Sequence, residues 1–505
     1  MRLKNFVACT LSLMICFCAS CVMADSAVPS MTGEYILIEA ENMVMASDSR
    51  KVSESSKASG GYSVKVKAVD EVSGNSALVA SFYVNTPSQY NVWLRAKCAK
   101  GSTVVTYRLS DVGEFKEKDC ATVSTSYKWF KLGMMNYSDG RQEIYLNSSK
   151  DTNFDCIYIT SDLSYVPSTK SPAGDANYKS PFYTGEDIPV FPRVGEHPRL
   201  YVSKEDILSL KEKLESDFFK SEYNKIKIKG NSEVNCLLPE GATDYTNYSS
   251  YNDILLSRAF LYLIGDADTL HAKATIAQTK NFLGTVTFGE NNPTYASRYM
   301  GDVMVTAACV YDWCYDQMTE MDKQFIIRKL KGFAHETEVG YPAIKRSFVI
   351  SHAAESLIYR DQLSVGIAIY DEEPAWYNTT ASIVFSTLLP AKNFLSASGN
   401  DFSGNTYAQA RNEGAMHTER MMSSLGYNES VFNPDYEKLY YKFIYGRLPN
   451  GVWFKEGDDY AWDRYTPDVR SQLYGELFRY AGSRYGNPYI LREGLIDSNW
   501  TGGLS

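Results

Sequence analysis

The chain is poor in histidine, in positive charge and in long apolar runs, and each shortage narrows what it does. Only five histidines occur in 505 residues, at His197, His271, His335, His352 and His417. Scattered in this way they make no zinc-binding spacing, and neither do the ten cysteines. The net charge is -9 and the pI about 5.3. No general basic field exists to hold nucleic acid, so a polyanionic ligand requires a local basic cleft. Beyond the leader, no apolar run approaches the roughly 20 residues that span a bilayer. Charged residues at 22% and hydrophobic residues at 44% exclude a largely disordered or polytopic membrane chain.

Residues 1–24 read as an export signal. Arg2 and Lys4 precede the apolar run "FVACTLSLMICFCA", and small residues surround Ala24. Cys21, after "CAS", offers lipid modification as the alternative, the single route by which a membrane enters. The expected location is therefore periplasmic, extracellular or lipid-anchored at a bacterial surface. Outside the leader stand Cys98, Cys120, Cys156, Cys236, Cys309 and Cys314. A disulfide among the first three suits an exported domain, but three cysteines cannot all pair, and buried free thiols are the other reading.

What the chain has in surplus is tyrosine, 38 residues of it, a ring with a polar edge that stacks on sugars or fills half-buried core positions. From 25 to 165 short alternating runs such as "YILIEAENMVM", "YSVKVKAV", "YNVWLRAKC", "STVVTYRL" and "FDCIYITSD" predict an antiparallel β-sandwich. Residues 166–196, rich in Pro, Gly, Ser and Thr, read as a linker. From 197 to 505 the apolar period becomes helical. Ser203 and Asp206 resemble a capping box, and at least eight helical runs follow with short joints, which implies packed helical hairpins in a bundle, solenoid or toroid.

Two polar groups stand out in the helical part. His352 and Glu355 of "SHAAESLIYRDQLS" share a helix face, with Tyr359 one turn on. They supply two metal ligands at most, so a hydrogen-bonded polar face is the plainer alternative. In "SASGNDFSGNTYAQARNEG", Tyr407 and Arg411 are four apart at a helix entrance. A converging guanidinium would favour the tyrosinate, while a surface stack is the ordinary outcome of that spacing. In the sandwich, Glu39 and Glu41 of "IEAENM" and Asp155 are an oxygen-rich set suited to structural calcium, or else solvated strand charge. Trp93 and Trp129 serve as stacking platforms or as core.

Taken together, "HPRLYVSKEDILSLKEKL", "VYDWCYDQMTEMDKQ", "SHAAESLIYRDQLSVGIAIYDEEP", "GNTYAQAR" and "LPNGVWFKEGDD" resemble the heparinase II/III-type polysaccharide lyases, closest to the heparinase II branch. The likeness runs from about 187 to 505, behind a front domain similar to a carbohydrate-binding module. It implies an (α/α) toroid that cleaves uronic-acid polysaccharides such as heparan sulfate, chondroitin sulfate or ulvan by β-elimination, without a catalytic cofactor. The family's catalytic histidine, glutamate and tyrosine fall on His352, Glu355 and Tyr407, and its arginine on Arg411. The basic residues Arg360, Lys345, Arg346, Lys392 and Arg420 are candidates for contacting substrate anions. The family's His-Asn-Ser-Glu is His-Ala-Ala-Glu here, and the C-terminal β domains that usually supply a further histidine and a zinc site are expected to be absent. Two alternatives stand beside the lyase. One is a glycoside hydrolase using carboxylates among Asp401, Glu413, Asp458 and Asp459, and the other is a non-catalytic polysaccharide-binding protein. A homodimer is compatible with either.

Overall fold

The computed structural model describes residues 33–45, 50–68, 77–122, 125–168, 187–232, 243–244, 250–289, 293–341, 354–401, 404–446, 454 and 467–496. Among them the expected order holds, an antiparallel β domain followed by a largely helical region. The strands are β1 (Tyr35–Glu39), β2 (Val44–Met45), β3 (Arg50–Glu54), β4 (Tyr62–Val66), β5 (Leu78–Val84) and β6 (Ser88–Lys97). They continue with β7 (Val104–Arg108), β8 (Lys116–Asp119), β9 (Lys128–Tyr137), β10 (Gly140–Ser148) and β11 (Thr152–Thr160). One sheet runs β3-β4-β11-β6-β9 with β1 also on β11, and the other runs β2-β5-β10-β7-β8.

Alternation decides the core. Val92 and Leu94 of β6, Ile144 and Leu146 of β10, and Ile157 and Ile159 of β11 point between the sheets. The register on β6 shifts between Phe154 and Cys156, so Asp155 is the extra residue of a bulge. Because the bulge resets the alternation, Phe154 and Ile157 both face inward, whereas Cys156 and Tyr158 join a small outer cluster with Leu37 and Tyr165.

The helical region begins with α1 (Asp206–Leu214), α2 (Lys220–Gly230), α3 (Ser250–Leu263), α4 (Thr269–Thr285), α5 (Pro293–Trp313) and α6 (Glu320–Glu336). A continuous run over 354–368, α7, contains a wide π turn at Leu357–Gln362; another over 374–396, α8, contains one at Val384–Leu388. Then come α9 (Gly404–Ser424), α10 (Lys438–Tyr445), α11 (Pro467–Arg484) and α12 (Pro488–Ile496). They pack around one apolar core that includes Leu255, Met304, Leu330, Ile358, Ile383 and Phe443. None is long and apolar enough to cross a membrane.

Capping differs from the expectation in one detail. At Ser203 only the reach-back half of the box forms, Asp206 accepting from the Ser203 amide at 3.2 Å and its hydroxyl at 2.7 Å. The complete reciprocal box lies at Thr319 and Asp322, where "TEMD" opens α6. That helix also docks on the sandwich. Arg328 pairs with Glu54 at 3.3 Å, the Tyr62 hydroxyl donates to the Arg328 carbonyl, and Ala375 of α8 packs into the sandwich core.

Candidate functional site

Glu355, Lys392, Tyr407 and Arg411 come from three helices, α7, α8 and α9, and gather at one place. Close packing of α9 on α7 makes this possible. A Cβ at Gly414 would stand 3.3 Å from the Ser356 Cα, and Thr418 Oγ1 donates to the Tyr359 carbonyl at 2.8 Å. Lys392 Nζ donates to Glu355 Oε2 at 3.0 Å and to the Arg411 carbonyl at 3.3 Å. Both side chains of that pair are 9% exposed. Arg411 Nη1 stands 3.9 Å from Glu355 Oε1, and its guanidinium lies over the Tyr407 ring, 6.0 Å from the centroid. Beneath them the buried Tyr359 ring is 5.8 Å from Lys392 Nζ. The helix-face spacings of Glu355 and of Tyr407 with Arg411 therefore meet in one cluster of two cations, a carboxylate and a phenol.

The expected site residues divide unevenly. His352, Lys345 and Arg346 lie outside the described residues, as do Cys21, Cys236, Asp458 and Asp459. Arg360 is committed elsewhere, its guanidinium 2.7 Å from Asp302 Oδ1 and 2.5 Å from Asp361 Oδ1. Near it burial raises the Glu413 carboxyl to about 6, with Arg360 pulling the other way. In the same neighbourhood burial, with Arg360 and Arg420, keeps the His417 imidazole neutral well below its usual range. Lys392 was legible in the sequence only as one basic residue among several. The signal that marks it is its setting, "STLLPAKNFLSAS", since a lysine inside an apolar helix needs a buried partner.

A second polar cluster sits where the sandwich meets α6. Glu39, Glu41 and Asp155 are all buried. Ser59 Oγ donates to Glu39 Oε1 at 2.6 Å, the Ser59 amide to Asp155 Oδ1 at 2.8 Å, and Arg95 to Asp155 Oδ2. Gly60 allows the approach. It has φ +59, and a Cβ there would lie 3.0 Å from Glu41 Oε1. From α6 comes Lys331, its side chain 1% exposed, with Nζ 2.8 Å from Glu373 Oε1 and 3.6 Å from Glu41 Oε1. Burial raises Glu41 to about 8 against the pull of Lys331, and raises Asp155 to about 6 against Arg95.

These residues fit a hard cation. Glu39 Oε2 and both Glu41 oxygens are buried without a hydrogen bond, and Glu39 and Asp155 offer oxygens within 4.8 Å of one another. With Glu373, four carboxyl groups face Arg95 and Lys331, and a bound dication would let the groups that burial holds protonated ionise. Cys156 shares the spot, but oxygen is the donor that calcium prefers, and burial holds this thiol protonated. Calcium here would be held by Glu39 and Asp155, whose oxygens come together, with the Glu41 carboxyl, expected from the sequence as a third ligand, standing instead beside Lys331.

On the outer face of the same sheet, Tyr35 stacks on Tyr158 with centroids 5.7 Å apart, Tyr158 on Tyr165 at 5.9 Å, and Trp129 meets Tyr158 edge-on at 6.1 Å. Tyr158 is fully buried in this group, while Trp93 and Trp129 are half-buried at its rim. The aromatic surplus is thus partly satellite core.

No family model matches the chain. No curated protein matches it either. Among solved structures it is similar to an exo-β-1,3-galactanase from Phanerochaete chrysosporium at 17% identity, over 26% of this chain and 29% of that one, with a TM-score of 0.21. It is similar to the C-terminal CBM6 module of a laminarinase from Zobellia galactanivorans at 20% identity, over 25% of this chain and 99% of the module, with a TM-score of 0.20. A GH26-CBM35 β-(1,4)-mannanase from Podospora anserina gives 13% identity over 60% of this chain and 64% of that one, with a TM-score of 0.22. The chain thus spans less than a third of the galactanase it matches. Likeness of this size identifies neither a family nor an activity.

Proposed function

We propose that the chain is an exported polysaccharide lyase, in which helical hairpins form an (α/α) toroid that cleaves uronic-acid polysaccharides by β-elimination while the sandwich holds glycan. The observation that carries this reading is the convergence of Glu355, Lys392, Arg411 and Tyr407. Elimination at a uronate removes the C5 proton, α to a carboxylate, and the developing dianion is tolerable only beside fixed positive charge. Arg411, placed between Glu355 and the Tyr407 ring, supplies that charge. Lys392 holds Glu355 in place, so that Glu355, sharing a proton with the substrate's carboxylate, polarises it instead of swinging away.

Tyr407, as phenolate, takes the C5 proton. The C5–H electron pair becomes the C4–C5 double bond, the C4–O bond breaks with its pair, and the phenol returns a proton to the leaving glycosidic oxygen. His352, by resemblance, joins Glu355 at the substrate carboxylate, or acts as base for uronates of opposite C5 configuration. A panel of heparan sulfate, chondroitin sulfate, dermatan sulfate, hyaluronan, ulvan and alginate tests the reading. The expected result is growing ultraviolet absorbance from unsaturated uronate ends on at least one of them. Products that have gained water would mean a hydrolase, for which Glu413, raised to about 6, is the suitable acid. Binding without turnover would mean a glycan-holding protein.

A further inference from the structure

The sandwich contains two cysteines that the glycan chemistry does not use. Cys98 directly follows β6 of the six-stranded sheet, and Cys120 directly follows β8, the edge strand of the other sheet. The segments that carry them are zipped together. The Cys120 amide donates to the Thr103 carbonyl at 2.7 Å, and Gly101 and Thr122 exchange backbone hydrogen bonds at 3.1 and 3.2 Å. Thr122 Oγ1 also donates to the Ala99 carbonyl at 3.4 Å. Both are free thiols buried in the sandwich core, and Cys98, with burial, raises the Cys120 thiol.

Cys156 is excluded by direction. The bulge on β11 turns it to the outer face, into the cluster of Leu37, Tyr158 and Tyr165 beside Glu39 and Asp155, with the sheet between it and the other two. Cys309 belongs to the separate helical core, and Cys314 follows the end of α5 there. The odd count that left pairing open in the sequence is thus resolved by which side of one sheet each sulfur occupies.

We infer that Cys98 and Cys120 are joined by a disulfide bond when the chain folds in an oxidising compartment, stapling the edge strand β8 to strand β6 of the opposite sheet. The oxidant is a protein or small-molecule disulfide. One cysteine thiolate attacks it to give a mixed disulfide, and the second thiolate displaces the oxidant's other sulfur. The two thiols of the protein lose two electrons and two protons, and the oxidant leaves as two thiols. A staple suits this place, because β8 is only four residues long, mostly exposed, and held on one side alone. Closing a loop of roughly 20 residues restricts the unfolded chain, so the bond stabilises the sandwich.

The test is to produce the full chain with its leader in a bacterium that exports it, unfold it without reductant in iodoacetamide, and map the peptides by mass. The expected result is one cross-linked peptide pair containing Cys98 and Cys120, with Cys156, Cys236, Cys309 and Cys314 alkylated. Alkylation of both Cys98 and Cys120, or a link through Cys156, overturns the inference. A second measurement needs no peptide map. The sandwich transition of the wild-type protein should melt at least about 5 °C lower in reductant, whereas that of C98S/C120S should be indifferent to it. Equal melting of the wild-type protein with and without reductant overturns the bond.

Discussion

Replacing Lys392 by methionine keeps most of the aliphatic stem and deletes the ammonium that Glu355 Oε2 accepts from at 3.0 Å. Both side chains are 9% exposed, so solvent cannot take over the pairing. Breaking one partner of a buried pair typically costs 3–5 kcal/mol, because the remaining charge is stranded. Here Arg411, 3.9 Å from the other carboxylate oxygen, offsets part of that loss. The expected destabilisation is therefore at the low end, about 3 kcal/mol. For a helical region of this size that is roughly a 6 °C fall in Tm. Denaturant titration followed by helix circular dichroism measures it. The double variant K392M/E355Q removes both charges and should recover at least about 2 kcal/mol of the loss in a mutant cycle. A loss in K392M below about 1 kcal/mol, the range of exposed pairs, or a cycle with no coupling, would refute the buried ion pair as the organising contact of the site.

Three further outcomes are expected. Tyr407→Phe abolishes the ultraviolet signal of unsaturated product while leaving the circular dichroism spectrum and Tm unchanged, and a near-normal rate would remove Tyr407 as the proton carrier. Calcium at about 100 times its Kd should raise the stability of the chelator-treated protein by about 2.7 kcal/mol, and E39Q should lose most of that gain. Equal melting curves with calcium and with chelator would dismiss the site. His197 gives a pH dependence. Burial lowers its pKa, but its bonds to Asp312 at 2.6 Å and Asp371 at 3.1 Å outweigh burial and the repulsion of Arg199, so the net shift is upward. The Tyr315 ring stacks on its face at 3.7 Å. A raised histidine contributes stability fully below its unfolded value near 6.5 and loses it as pH rises through the folded value. Denaturant midpoints should thus decline above about pH 6.5 in the wild-type protein and less in H197Q; parallel pH curves would contradict this.

The local periods of the sequence were enough to place the elements. Alternation in "YNVWLRAKC" gave β6, and the stripe in "TEMDKQFIIRKLKGFAHETE" gave α6. The same periodicity put Tyr407 and Arg411 on one helix face, where the guanidinium does lie over the ring. What periodicity misses is an interruption, such as the bulge at Asp155 or the π turn after Glu355, because one extra residue changes which face every later side chain takes.

Residue types and spacings by themselves determined the order of a β domain before a helical region and the placing of Tyr407 and Arg411 on one helix face. Those properties depend on neighbours within one or two turns, where geometry follows from the backbone repeat. Tertiary structure alone decided that Lys392 serves Glu355 from 37 residues away, that Lys331 of α6 enters the carboxylates of the sandwich, and that Cys98 lies beside Cys120 while Cys156 faces the other way. Each of these joins different elements, and the packing that brings them together is set by the shape of whole apolar faces, a quantity that no short stretch of sequence contains.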